Sequence, residues 1–204
     1  MRRRDQGHGM HPCSITPRSD IQVSRYTMPQ LAIILVNYKR AQDTIECVRS
    51  IKESSFTDVD LIIVDNASGN GSVKLLREQC PGTTILVNDK NMGFAEGNNI
   101  GIRLALRRTC DYILLLNNDT VVDPNMLTTL VGALKNHPEA GAVGAKIYYF
   151  NHPRVIWFAG GFFNDNSSFG GHYGIDQEDN GRFDTPMTCD YVTGCCLLFR
   201  SVLA

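Results

Sequence analysis

The chain has 204 residues, 43% of them apolar and 20% charged, with a formal net charge of −1. That composition supplies one core and predicts a single soluble globular domain, while the near-neutral balance speaks against a nucleic-acid binder. Seven cysteines, an odd number with no C-x-x-C pair, fit neither a zinc ribbon nor a secreted disulfide framework and point to a reducing cytoplasm. No apolar run reaches the roughly 18 residues of a membrane span, so membrane association is expected to be peripheral at most, at the inner face.

Residues 1–27 mix Arg, Gly, His, Pro and Ser without a period and are expected to form a disordered tail; the triplet Arg2-Arg3-Arg4 reads as a solvated end and Met28 as a candidate start. A single domain is expected over 28–204. Leu31 to Val36 is apolar on both faces, as in an interior strand of a parallel sheet. Ala41, Ile45, Val48 and Ile51 have helical spacing, and Val59 to Val64 is a second buried strand ending at Asp65, which completes a βαβ unit. A helix over Ser72 to Gln79, a short strand over Thr84 to Val87, a helix over Ala95 to Arg108 and a strand over Tyr112 to Leu116 follow. Asp123-Pro124 reads as an N-cap with proline at the first helical position, opening a helix to about Asn136. Further strands are predicted over Ala142 to Ile147, Val155 to Phe158 and Tyr191 to Phe199. The alternation predicts an α/β domain with a largely parallel central sheet flanked by helices.

Ligands of open parallel sheets bind beyond the carboxyl ends of the strands. Polar clusters follow three of these strands: Asn37-Tyr38, Asp65-Asn66-Ala67-Ser68 and Asn117-Asn118-Asp119. Each taken alone is better read as an Asx-turn or helix cap. A fourth cluster, "NDKNMGFAEGNNIGI" from Asn88 to Ile102, could hold phosphate or sugar hydroxyls, with Gly93 and Gly97 admitting close backbone approach; Phe94 and Ile100 read as core. It matches neither G-x-G-x-x-G nor G-x-x-x-x-G-K-[ST].

Five segments in order, "ILVNYKR", "LIIVDNASGNGS", "NMGFAEGNNIGI", "YILLLNNDTVVDPNML" and "YVTGCCLLFR", resemble the family 2 glycosyltransferases of the GT-A fold, with closest likeness to a rhamnosyltransferase-like branch. The resemblance covers about residues 29–204 and implies a nucleotide-sugar site. Val36, Asn37 and Tyr38 would support the base, and Asp65, beside Asn66, would accept the N3–H of uracil or thymine, since a carboxylate offers only acceptors. Asn91, Gly93 and Asn98 would line the nucleotide or sugar pocket. Asn117, Asn118 and Asp119 fall at the D-x-D-like motif, in its N-x-D form, and Asp119 would bind Mg²⁺ or Mn²⁺ bridging a diphosphate.

The implied activity is inverting transfer from a dTDP- or UDP-sugar, with rhamnose suggested by branch, to a saccharide or lipid-linked saccharide acceptor in cell-surface polysaccharide assembly. The family's acidic general base would follow the strand at Tyr191 to Phe199. The sequence stops there, so the chain is expected to be truncated at its C-terminus, to lack the base and to self-associate through apolar surface at Val192, Leu197 or Phe199. Asp176, Glu178 and Asp179 precede that strand and read as a solvated loop. A noncatalytic nucleotide-sugar-binding fragment and a sugar-phosphate nucleotidyltransferase are the alternatives.

Overall fold

The computed structural model describes residues 30–164 and 169–204. The expectations for residues 1–27 and Met28 lie outside the described residues. In chain order the elements are β1 (Leu31–Asn37), α1 (Ala41–Lys52), β2 (Val59–Asp65), α2 (Ser72–Gln79), β3 (Thr84–Val87), α3 (Gly93–Arg107), β4 (Tyr112–Leu116) and α4 (Met126–Asn136). Then come β5 (Ala142–Val143), β6 (Ile147–Tyr149), β7 (His152–Phe158), β8 (Gly161–Asn164), β9 (Phe169–His172) and β10 (Cys196–Arg200).

The central sheet has the order β3-β2-β1-β4-β10-β5. β1 is parallel to both neighbours, with Ile34 opposite Ile62 on one side and Leu115 on the other. Leu31 to Leu35 are completely buried, as continuous apolarity demands of a strand covered on two faces. Alternation divides them. Leu31, Ile33 and Leu35 join α1, α4 and Leu76 of α2 in one core, while Ala32 and Ile34 meet α3 in the other.

Two glycines set the depth of α3. A Cβ on Gly101 would lie 2.5 Å from Ile34 Cγ2, and one on Gly97 would lie 3.0 Å from Val36 Cγ1 and 3.2 Å from Asn66 Nδ2. Gly97 therefore brings the helix down onto the sheet instead of opening a path for ligand, which corrects the sequence expectation.

Three element boundaries also differ from expectation. α4 begins at Met126, because Asp123 Oδ1 accepts from the Asn125 N–H at 2.8 Å in a turn while the Pro124 carbonyl accepts from Ser55 N (2.9 Å) and Ser54 Oγ (3.0 Å). The run Ala142 to Ile147 divides into β5 and β6 at Gly144, where the Val192 side chain crosses and a Cβ would meet it at 2.3 Å. The final strand is confined to Cys196–Arg200, since Cys196 N donates to Thr193 O and Cys195 N to Thr193 Oγ1 in a turn. β10 is antiparallel to β4 and β5, and its Arg200 guanidinium donates to the carbonyls of Leu134, His137 and Ala140, closing the C-terminal end of α4.

β6–β7 and the unforeseen β8–β9 form two separate two-stranded antiparallel sheets. Lys146, just before β6, pairs with Asp179 (2.6 Å) and Asp184 (2.5 Å) of the segment after β9, and the Tyr148 hydroxyl also donates to Asp179. Lys146, then Tyr148 and the Gly181 N–H, pull the Asp179 carboxyl down to about 2. Val192, Leu197 and Phe199 are half-buried, and the last two line a shallow cleft of about 430 Å³ with Ile102 and Leu203. Among the described residues no helix is long and apolar enough to cross a membrane.

Two outcomes follow. Gly101→Ala should lower stability by about 1–3 kcal/mol through overpacking, whereas Gly132→Ala in α4, where a Cβ meets nothing within 4 Å, should raise it by about 0.5–1 kcal/mol; urea unfolding of both distinguishes them, and equal effects would contradict the close approach of α3. Asp179 has a lowered folded-state pKa, so its stabilisation is complete above the unfolded carboxyl value near ~3.9 and fades as pH falls toward 2. The stability gap between wild type and Asp179→Asn should accordingly shrink from pH 4 to pH 2, as followed by fluorescence-detected unfolding.

Candidate functional site

Because β1 to β4 run in parallel, their carboxyl ends share one edge, and the four polar clusters meet there. The meeting is hydrogen-bonded. Asn66 N donates to Asn37 O (2.8 Å), Asn88 N to Asp65 O (2.9 Å) and Asn66 Nδ2 to Gly93 O (3.0 Å).

Asp65 occupies the centre of this edge and is 0% exposed. Its Oδ2 accepts from Asn37 Nδ2 and from Ser68 Oγ, both at 2.6 Å, and its Oδ1 accepts from Ser68 N at 2.9 Å. Ser68 Oγ in turn accepts from Lys39 N at 2.8 Å, which links the loop after β1 to the loop after β2. The geometry requires Lys39 (φ 61°) and Ala67 (φ 57°) to adopt the left-handed conformation, an arrangement that costs each about 1–2 kcal/mol. Asn37 is equally enclosed, with its Oδ1 accepting from Thr44 Oγ1 at 2.9 Å. Of the three residues expected to support a base, Asn37 thus has its side chain committed inside the protein, Val36 packs beside Gly97, and Tyr38 is 41% exposed.

The loop entering α3 carries the next group. Asn91 Oδ1 accepts from Gly93 N (2.9 Å), and Gly93 takes φ 77°, so both hold an exposed turn at the helix entrance. Asn66 is buried and bridges this turn to the end of β3, accepting from Asn88 Nδ2 at 2.8 Å. Asn98 is also buried and donates to Phe94 O at 3.0 Å. Phe94, expected in the core, is 54% exposed and stands over Gly194, whereas Ile100 packs against the α3 core as expected.

Past β4 the chain stays anchored for one residue, with Asn117 N donating to Cys195 O (2.9 Å). Asn118 Nδ2 donates to Thr44 Oγ1 (2.8 Å), and Thr120 Oγ1 folds back on Asn117 O (2.8 Å). Between these two fixed residues Asp119 is exposed, with neither a hydrogen bond nor an ion pair from its carboxylate among the described residues. Below it, burial pushes the Cys47 and Cys195 thiols each up to about 11.

Among the described residues no group of three His, Cys, Asp or Glu side chains could hold a metal. One free carboxylate still fits Mg²⁺ or Mn²⁺, whose shells are commonly completed by substrate phosphates and water. Of the acids expected to lie in a solvated loop, Asp176 and Glu178 are exposed, with surface contacts to the Tyr149 hydroxyl (2.7 Å) and Arg154 (3.2 Å), whereas Asp179 is held by Lys146 and Tyr148. Two site residues were missed in the sequence. Ser68 was read only as part of a polar run, and Thr44 lies on the apolar stripe of α1, where a hydroxyl at 0% exposure needs a partner.

Comparison with known proteins now places the chain. The bifunctional glycosyltransferase pgtA of Dictyostelium discoideum is 26% identical over 125 residues, which cover 59% of this chain and 16% of that protein. The mannosyltransferase PcManGT from Pyrobaculum calidifontis, solved in complex with GDP-Man and Mn²⁺, superimposes with a TM-score of 0.51 at 23% identity, over 60% of this chain and 37% of that one. TarS residues 1–349 of S. aureus, solved with UDP-GlcNAc, gives a TM-score of 0.51 at 14% identity, over 58% and 34%. The chain therefore spans well under half of each of these proteins, and shares with the two structures the GT-A fold. Residues 32–204 match the profile described as "Glycosyl transferase family 2", and the chain belongs to that family.

Proposed function

We propose that the chain is the donor-binding part of an inverting glycosyltransferase that takes a uracil or thymine nucleoside diphosphate sugar. The observation carrying this reading is the contrast at the strand-end edge: every polar side chain around Asp65 is internally satisfied, while Asp119 alone in its loop presents an uncommitted carboxylate. The related structures bearing GDP-Man with Mn²⁺ and UDP-GlcNAc support a nucleotide-sugar donor as the ligand class. Family membership argues against the nucleotidyltransferase alternative.

In this reading Asp119 holds a divalent cation, Mg²⁺ or Mn²⁺, against the donor diphosphate, with Asn117 and Asn118 fixing the loop that carries it. The bound cation would supply electrostatic stabilisation of the departing diphosphate. Tyr38 offers an exposed ring face to the base, and its phenol pKa is lowered by the adjoining Lys39 and then Asn91. Asp65 Oδ1, with one donor against two on Oδ2, is the carboxylate oxygen with capacity for an N3–H, and because it is buried that contact would require the Ser68 corner to open. In the transfer itself an acceptor hydroxyl oxygen bonds to the anomeric carbon as its bond to the diphosphate oxygen breaks, and the hydroxyl proton passes to a carboxylate base. A rhamnose donor, a saccharide or lipid-linked acceptor of cell-surface polysaccharide and work at the cytoplasmic face of a membrane complete the proposal.

Calorimetric titration tests it. UDP and dTDP should bind more tightly than GDP or CDP, and Mn²⁺ should strengthen UDP binding about tenfold, equivalent to about 1.4 kcal/mol. Asp119→Asn should abolish that gain and leave metal-free binding within about twofold. Tighter binding of GDP than of both UDP and dTDP would defeat the base assignment, and a full Mn²⁺ gain in Asp119→Asn would defeat the metal assignment.

A further inference from the structure

The two halves of the edge described above, the saturated Asp65 corner and the exposed Asp119 loop, belong to different strands and have no direct hydrogen bond to each other among the described residues. They communicate through one side chain on a third element. Thr44, in the first turn of α1 and 0% exposed, has Oγ1 at 2.9 Å from Asn37 Oδ1 and accepts from Asn118 Nδ2 at 2.8 Å. Its single proton is shared between Asn37 Oδ1 and Arg40 O, the latter at 3.1 Å.

We propose that Thr44 is a positioning residue, one hydroxyl that couples the buried Asp65 corner to the loop presenting Asp119. The inference rests on the donor-site reading of that edge and deepens it. The chemistry is directional. A hydroxyl has one proton and two lone pairs, so a group that gives its proton to the Asn37 carbonyl oxygen can still accept from an amide. Giving that proton orients Asn37 with its Nδ2 toward Asp65 and Ser68, at 2.6 and 3.2 Å. Accepting from Asn118 holds the residue immediately before Asp119. Val at position 44 would keep the β-branched shape and remove both bonds, leaving Asn37 Oδ1 unpaired in a buried site. Ser would keep the hydroxyl and lose only a methyl group.

The relay also explains why an amide stands at position 118. Thr120 fixes the loop from the other side through Asn117 O, so that Asp119 sits between two tethers and enters metal binding with less conformational freedom to lose. Loss of the Asn118 tether should therefore weaken the cation-dependent part of nucleotide binding more than the cation-independent part.

The test compares UDP binding with and without Mn²⁺ in wild type, Thr44→Ser, Thr44→Val, Asn118→Ala and the double variant Thr44→Val/Asn118→Ala. The expected result is an Mn²⁺ gain reduced about three- to tenfold in Thr44→Val and in Asn118→Ala, restored to within about twofold in Thr44→Ser, and no smaller in the double variant than in either single one. If Thr44→Val does not fold, Thr44→Ser and Asn118→Ala still decide the matter, because Asn118 is half-buried on a loop: an undiminished gain in Asn118→Ala overturns the coupling. So does a full gain in folded Thr44→Val, a Thr44→Ser variant as impaired as Thr44→Val, or additive losses in the double variant. Absence of any Mn²⁺ gain for UDP and dTDP in the wild type would instead bring down the donor-site reading, and the inference with it.

Discussion

The buried carboxylate of Asp65 is the constraint around which the edge is built. A carboxyl group removed from water must have hydrogen-bond partners in place, and here three donors reach it from two side chains and one backbone amide. Supplying them dictates the neighbourhood. Ser68 has to turn back through a left-handed Ala67, Lys39 has to present its N–H to the Ser68 hydroxyl, and Asn37 has to point inward at the end of β1 with its oxygen covered by Thr44. The side chains of Asn37, Thr44 and Ser68 and the backbone N–H of Lys39 are thereby committed, and the ends of β1 and β2 are joined in one hydrogen-bonded corner.

The saturation of that corner gives the neighbouring acid its meaning. Asp119 differs from Asp65 in being exposed and in having no partner among the described residues, while its loop too is tethered on both flanks. A strand-end carboxylate with no internal duty and little freedom to wander is suited to an external cation or ligand donor. The close seating of α3 through Gly97 and Gly101 serves the same edge, since it brings the Asn91 to Gly93 turn within reach of Asn66.

Much of this was legible in the sequence, for physical reasons. Interior parallel strands are apolar on both faces, so β1, β2 and β4 stood out, and their shared direction made convergence of the polar clusters a necessary consequence. What escaped were choices that local chemistry leaves degenerate. Asp123-Pro124 carries the same signature in a turn as in a helix start. The apolar run from Tyr191 gives no sign that Gly144 must receive Val192 across it, or that β10 enters antiparallel. In the site, Asp65 and Asp119 look alike as acids ending apolar strands, and only the enclosing Asn37 and Ser68 separate an internally hydrogen-bonded carboxylate from an uncommitted one. Thr44 was hidden among helical apolar positions, although a hydroxyl on a buried stripe is itself a sign of a polar partner.

The central claim is that the available carboxylate is Asp119 and that the buried corner around Asp65 is not the cation site. Paramagnetic broadening of backbone amide signals by substoichiometric Mn²⁺, in the presence of UDP and isotopically labelled protein, tests it most directly. Broadening centred on Asn117 to Thr120, spreading to Tyr38 and Gly93 and sparing the far edge near His137, is the expected pattern. Broadening centred elsewhere, or spread evenly over the surface, would contradict it.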